Sequence, residues 1–145
     1  MTSELRVDNL KGSTTGGSIN VLGEGTSATT NLQQGLCKAW VNFNGTGTIA
    51  TRDTFNVSGL TDNGQGDYTS TFISNFSNSD YSLSVTTSGD DGNFGYLVPV
   101  GPSSNEFVPA TSSIRAGAGY ASDTSSSAAK RDPHQYYKAL HGDLA

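Results

Sequence analysis

The chain has 145 residues, is 33% hydrophobic and carries a formal net charge of −5. That length fits one domain with an appendage, and the acidic balance, with no basic cluster longer than Lys130-Arg131, argues against a nucleic-acid footprint. Ser, Thr, Gly and Asn make up nearly half the chain, yet Trp40, six Tyr and six Phe together with the low net charge favour a folded chain over a disordered one.

Residues 1–34 differ from the rest. Met1 to Arg6 is polar and lacks the apolar core of a secretory signal, so synthesis in a cytoplasm is expected. Leu5-Arg6-Val7-Asp8 alternates as a strand does, and Leu10 extends the apolar patch. Ile19, Val21 and Leu22 follow between two Gly/Ser/Thr-rich stretches. Two short strands with so few apolar residues do not form a core alone. This segment therefore reads either as an arm that anchors and trimerises through Leu5, Val7, Leu10, Ile19, Val21 and Leu22, or as a loose tail.

Residues 35–145 read as one β domain. The predicted strands begin with Leu36–Phe43, Gly47–Ala50, Phe55–Leu60, Gly66–Ile73 and Ser79–Thr86. Ala39, Val41 and Phe43 alternate with Lys38, Trp40 and Asn42, the period of a half-buried strand. Tyr68 and Phe72 share one face through Ser70, and Tyr81, Leu83 and Val85 share another. Asn44-Gly45 and Asn63-Gly64 are turn dipeptides. From Ser88 the pattern loosens. Gly89 to Asn93 reads as a turn, and Pro99 to Pro109 as a long loop or a sheet edge, because proline lacks a ladder donor. Ser112–Ala118 reads as a strand, Asp123 to Pro133 as a polar loop and His134 to His141 as a closing strand. No segment has sustained helical spacing with caps. The fold class is all-β, an antiparallel sandwich or barrel.

The string from Lys38-Ala39-Trp40-Val41-Asn42-Phe43 through Gly45-Thr46-Gly47-Thr48, Arg52-Asp53, Phe55-Asn56-Val57-Ser58, Thr61-Asp62-Asn63-Gly64 and Gly66-Asp67-Tyr68-Thr69 resembles a module of tailed-bacteriophage fibre-like and virion surface proteins, of the marine and cyanophage type. Leu140 to Ala145 is similar to that module's closing strand, and Leu5 to Leu10 resembles the N-terminal strings of phage fibres. The resemblance covers roughly residues 36–145, with Ser88 to Pro133 matching less well. It implies a homotrimeric, jelly-roll-like virion protein with no cofactor. Such a protein is either a short tail fibre or spike that attaches to a host-surface glycan or protein, or a capsid decoration, cement or head-fibre protein held to other virion proteins by its arm. The same resemblance implies assembly in the host cytoplasm and location in the virion.

The residues for chemistry are sparse. Nucleophilic catalysis needs a nucleophile, a base and a group orienting that base. The two histidines, His134 and His141, lie seven apart on one predicted strand and so face opposite ways. Cys37 alone makes neither an intrachain disulfide nor a multi-cysteine zinc site and reads as a small buried residue. Asp62, Asp67, Asp90, Asp91 and Glu106 are the candidate carboxylates for a glycan-degrading spike, but most sit beside Gly or Asn, where turns use them. Asp62 to Asp67 and Asp90 to Asn93 offer oxygen ligands without a calcium-loop consensus. The chain thus reads as a binding protein without enzymatic, cofactor or metal chemistry, and no stretch is long and apolar enough to insert in a membrane. The candidate recognition residues are Trp40, Tyr96, Tyr120, Tyr136 and Tyr137, because Trp and Tyr give large contacts with few rotatable bonds. For Trp40 a buried place between sheets or subunits is the competing reading.

Overall fold

The computed structural model describes residues 4–16, 19–22, 28–88, 97–100, 107–120 and 129–145, with only the backbone described at 97–100, 120 and 129. The chain divides into two compact units, Met1–Leu36 and Cys37–Ala145. Among the described residues strands dominate and every strand pairing is antiparallel, so the chain is all-β.

In the first unit, β1 (Asn20–Leu22) pairs with β2 (Thr29–Asn31). A single helical turn, α1 (Leu32–Gly35), follows. Asn31 caps it, its Oδ1 accepting from Gln33 N at 2.9 Å and Gln34 N at 3.2 Å, which satisfies two of the donors that a helix start leaves open. One turn is too short to leave a helical period in the sequence. Leu5 to Asp8, predicted as a strand, lies outside any strand. Among the described residues its alternation has no paired neighbour, and isolated strands are not stable in water.

The second unit holds two sheets. One has the order β4 (Ala50–Phe55), β3 (Ala39–Asn44), β12 (Tyr136–His141), β7 (Ser82–Thr87). The other is built on β10 (Ser113–Tyr120), which pairs on one edge with β6 (Asp67–Phe72) and the two-residue β11 (Ala129–Lys130), while β5 (Val57–Asp62) pairs with β6. On its other edge β10 pairs with β8 (Leu97–Val100) and β9 (Val108–Ala110). Pro99 and Pro109 therefore sit in edge strands, where a missing N–H costs no ladder bond. Inward-facing residues of both sheets form one core of Ala39, Val41, Phe43, Tyr136 and Leu140 against Val57, Tyr68, Phe72, Ile114, Ala116 and Ala118, joined by Phe76. Face-to-face packing of two antiparallel sheets over a shared core is sandwich-like.

Several predicted boundaries move, each for a local reason. The stretch predicted as a Gly47–Ala50 strand is mostly turn, and β4 instead runs through Arg52 and Asp53. The predicted Phe55–Leu60 strand breaks at Asn56, whose φ of 55° ends β4 in one sheet and starts β5 in the other. Asn tolerates this left-handed geometry better than most residues. Its carboxamide also ties the corner down, donating to Lys38 O at 3.0 Å and Ser74 O at 3.1 Å and accepting from Ser74 N at 2.7 Å. The Asp62–Asp67 segment is the hairpin turn between β5 and β6, with Gly64 and Gly66 at positive φ. Gly45 is needed for space, since a Cβ there would lie 2.5 Å from the Tyr68 hydroxyl oxygen.

Two aromatic triads lie toward opposite ends of β6. Phe43, Tyr68 and Tyr136 have ring centroids 5.0–5.7 Å apart. Phe72, Phe76 and Tyr81 have centroids 4.4–6.1 Å apart. Such clusters add about 0.5–1.5 kcal/mol per pair beyond area burial.

Candidate functional site

The alternation of β3 decides which side chains reach the outer face of its sheet. With Ala39, Val41 and Phe43 in the core, Trp40, Asn42 and Asn44 point away from it, half-buried among their neighbours. Register then gives Trp40 its flanks. Phe55 of β4 is opposite on one side and Ala139 of β12 on the other, with Ser84 of β7 beyond Ala139. In the adjoining row Asp53, Asn42, Tyr137 and Thr86 lie side by side. Phe55 is 51% and Tyr137 38% exposed. Tyr137 donates its hydroxyl to the Gln135 carboxamide oxygen. The face thus carries three aromatic side chains, interrupted by the small Ala139 and Ser84 and bordered by polar groups.

A β-bulge adds to it. The register between β3 and β4 shifts between Asn42 and Phe43, so Arg52 and Asp53 fall where one residue is expected. Bulges bend a strand and re-aim a side chain. Arg52 reaches over the outer face, its guanidinium making long contacts of 3.5 Å to Asn42 Oδ1 and 3.4 Å to Phe43 O. Asp53 keeps one oxygen on Thr54 N at 2.8 Å. A guanidinium fork and a carboxylate are thereby presented by consecutive residues beside the aromatic row.

The placement of the sequence-derived candidates is mixed. Trp40 and Tyr137 share this face. Tyr136 does not: it is fully buried, donating its hydroxyl to Gly117 O at 2.8 Å, and burial pushes that hydroxyl well above its ordinary pKa. Its even spacing from Lys138 and Leu140 places it on the core face of β12, so it is corrected from a recognition residue to a core residue. Tyr120 is the last residue of β10, its side chain outside the described set, and Tyr96 lies outside the described residues altogether. In the first unit Leu5, Val7, Leu10, Val21 and Leu22 are exposed and Ile19 is half-buried. Sequence reasoning missed Phe55 and Arg52, because only cross-strand register and the bulge bring them beside Trp40.

Two polar clusters have other work. Asp67 is almost fully buried, with Arg115 Nε and Nη2 each 2.9 Å from its carboxylate and Lys130 Nζ also at 2.9 Å. Burial raises this carboxyl's pKa, but the two cations outweigh it and hold the group below the usual carboxylate value. Lys138 is 1% exposed, its Nζ donating to Tyr68 O at 3.2 Å and Ser70 Oγ at 3.1 Å. That amine lies 5.3 Å from the Tyr136 ring centroid and 5.9 Å from that of Phe43. Burial drives its pKa down to about 7, Asp67 opposing only in part. A sealed amine of this kind can hold two strands together but cannot meet a ligand. Cys37, half-buried, donates its thiol to Ala39 O at 3.2 Å. Among the described residues no three His, Cys, Asp or Glu side chains gather as a metal site.

No protein-family model matches this chain, nor does any curated protein or solved structure.

Proposed function

We propose that this chain is a binding component of a tailed-phage virion: a short, trimeric fibre or spike, jelly-roll-like in its outer domain, that attaches to a host surface. The observation that carries the reading is the division of labour along the chain. Residues 37–145 bury a continuous core between two sheets, whereas the first unit leaves five of its six apolar candidates exposed. A ribbon of three residue pairs and one helical turn does not stabilise itself. It is suited to winding with two further copies or docking on another virion protein. The aromatic outer face built on Trp40 supplies a surface for attachment. The reading has the protein assembled in the host cytoplasm, and it assigns the protein binding rather than catalysis.

The exposed arm also favours a second reading, a decoration or cement protein pinned to the capsid. Cryo-electron microscopy of intact particles separates them. Density at the tail with the second unit distal supports the fibre, density on the capsid lattice supports decoration, and particles lacking the chain overturn both. Light scattering of the purified chain tests the trimer, and a monomer at micromolar concentration sinks it.

A further inference from the structure

From the outer face of β4-β3-β12-β7 we infer a carbohydrate-binding site for an uncharged pyranose unit, stacked on Trp40 and Phe55 and hydrogen-bonded by Arg52 and Asp53. The inference rests on the attachment reading for its biological meaning but on the face itself for its chemistry. A sugar ring has an apolar C–H face and a rim of hydroxyls that donate and accept. Flat aromatic side chains match the first, and paired donors and acceptors match the second. Trp40 and Phe55 are directly opposed across β3 and β4, and Tyr137 lies diagonally from Trp40 across β3 and β12. Ala139, on the other flank of Trp40, is too small to cover the indole.

The charges select the ligand class. Arg52 and Asp53 are consecutive, so they set one cation beside one anion next to the aromatic row; Lys38, of Trp40's parity, is only 7% exposed and presents little charge to a ligand. A carboxylated or sulfated glycan would meet Asp53 as well as Arg52. A neutral diol finds in the same two residues a donor fork and an acceptor. The bulge between Asn42 and Phe43 is the device that gathers them, and Asn42, contacted by Arg52, adds an amide to the rim.

The test uses the full chain. Trp40 is the one tryptophan, so its fluorescence reports on this face alone. Dextran, mannan, galactan and a soluble β-glucan serve as neutral probes and alginate as the acidic one. The expected result is a saturable shift of Trp40 emission with at least one neutral polysaccharide and none with alginate. In affinity electrophoresis, Trp40→Ala and Arg52→Ala should each weaken that binding at least tenfold, with Arg52→Ala melting as the parent does and Trp40→Ala still folded at the assay temperature. Thr61→Ala, on the other sheet, should leave it intact. Absence of a shift with all four neutral probes, a shift with alginate only, or full retention in both variants overturns the site. Particles without this chain would overturn the virion reading and leave the binding result standing; a virion-borne chain with no glycan affinity would overturn the site alone.

Discussion

The two aromatic triads bury the same number of rings along one strand, β6, and solve opposite problems. Around Phe72, Phe76 and Tyr81 the only buried polar group of the triad is the Tyr81 hydroxyl, which lies 3.1 Å from Ala110 O and 3.0 Å from Ser113 O. Around Phe43, Tyr68 and Tyr136 the core admits two hydroxyls and an amine. Tyr68 lies 2.6 Å from Asp132 Oδ1 and 3.2 Å from Gly45 O, and the same carboxylate oxygen accepts from Gly66 N at 2.6 Å. The first triad is held by area and shape, the second also by polar partners that cannot be removed singly without leaving a buried group unmet. Apolar burial suits either end, but the polar one ties more of the chain together, because Gly45, the Gly66–Tyr68 stretch and Asp132 come from three separate segments.

The comparison can be broken most severely at Tyr68. Tyr68→Ala should cost about 4 kcal/mol or more in denaturant unfolding, from lost ring volume and the hydroxyl bonds to Asp132 and Gly45 O. Phe76→Ala, at the other end, should cost about 3 kcal/mol, from the cavity alone.

Next comes pH. Lys138 has a folded pKa of about 7 against 10.5 in the open chain. Between those values the unfolded chain holds a proton that the folded one has released, so stability rises with pH at up to about 1.4 kcal/mol per unit and is flat below 7. The tyrosines reverse the trend higher up. Burial lifts Tyr81 to about 12, and Tyr68 and Tyr136 move further in the same direction. Above 10 the unfolded chain loses protons that the folded one keeps, and stability falls. Chemical denaturation from pH 6 to 11 should therefore show a maximum near 10, and Lys138→Met should abolish the climb toward it.

Smaller effects sharpen the contrast. Tyr68→Phe should cost about 2 kcal/mol, because Asp132 Oδ1 then loses the hydroxyl donor in a part-buried place and keeps Gly66 N. Tyr81→Phe should cost about 1 kcal/mol, the net worth of an ordinary hydrogen bond. Arg52→Ala, outside both triads and on the exposed side of β4, should change stability least and be visible in ligand binding.

Much of the fold was legible because the period of two is written plainly in the chain. Ala39-Val41-Phe43, Tyr68-Ser70-Phe72 and Leu83-Val85 all face as their alternation predicts. The switch at Asn56 was not legible, since a sheet-changing corner keeps the composition of a strand on both sides. β12 was half legible. Tyr136, Lys138 and Leu140 share a parity, but a lysine in that set makes the core side look like the wet side, and contact chemistry alone does not separate Tyr136 from its outward neighbour Tyr137. Trp40 could be placed on the outer face from its neighbours. Its companions Phe55 and Arg52 could not, because adjacency across strands and the position of a bulge depend on pairing with another segment.

Lys138 has one further consequence. Its amine is shut between two sheets, and burial is what lowers its pKa, so an opened domain exposes it as an ordinary lysine amine. Acylating agents would modify it only when the sheets part. The rate at which its side chain becomes labelled, followed by mass spectrometry of the peptide containing it, is then a clock for the opening of the domain, carried in the chain without any engineered probe.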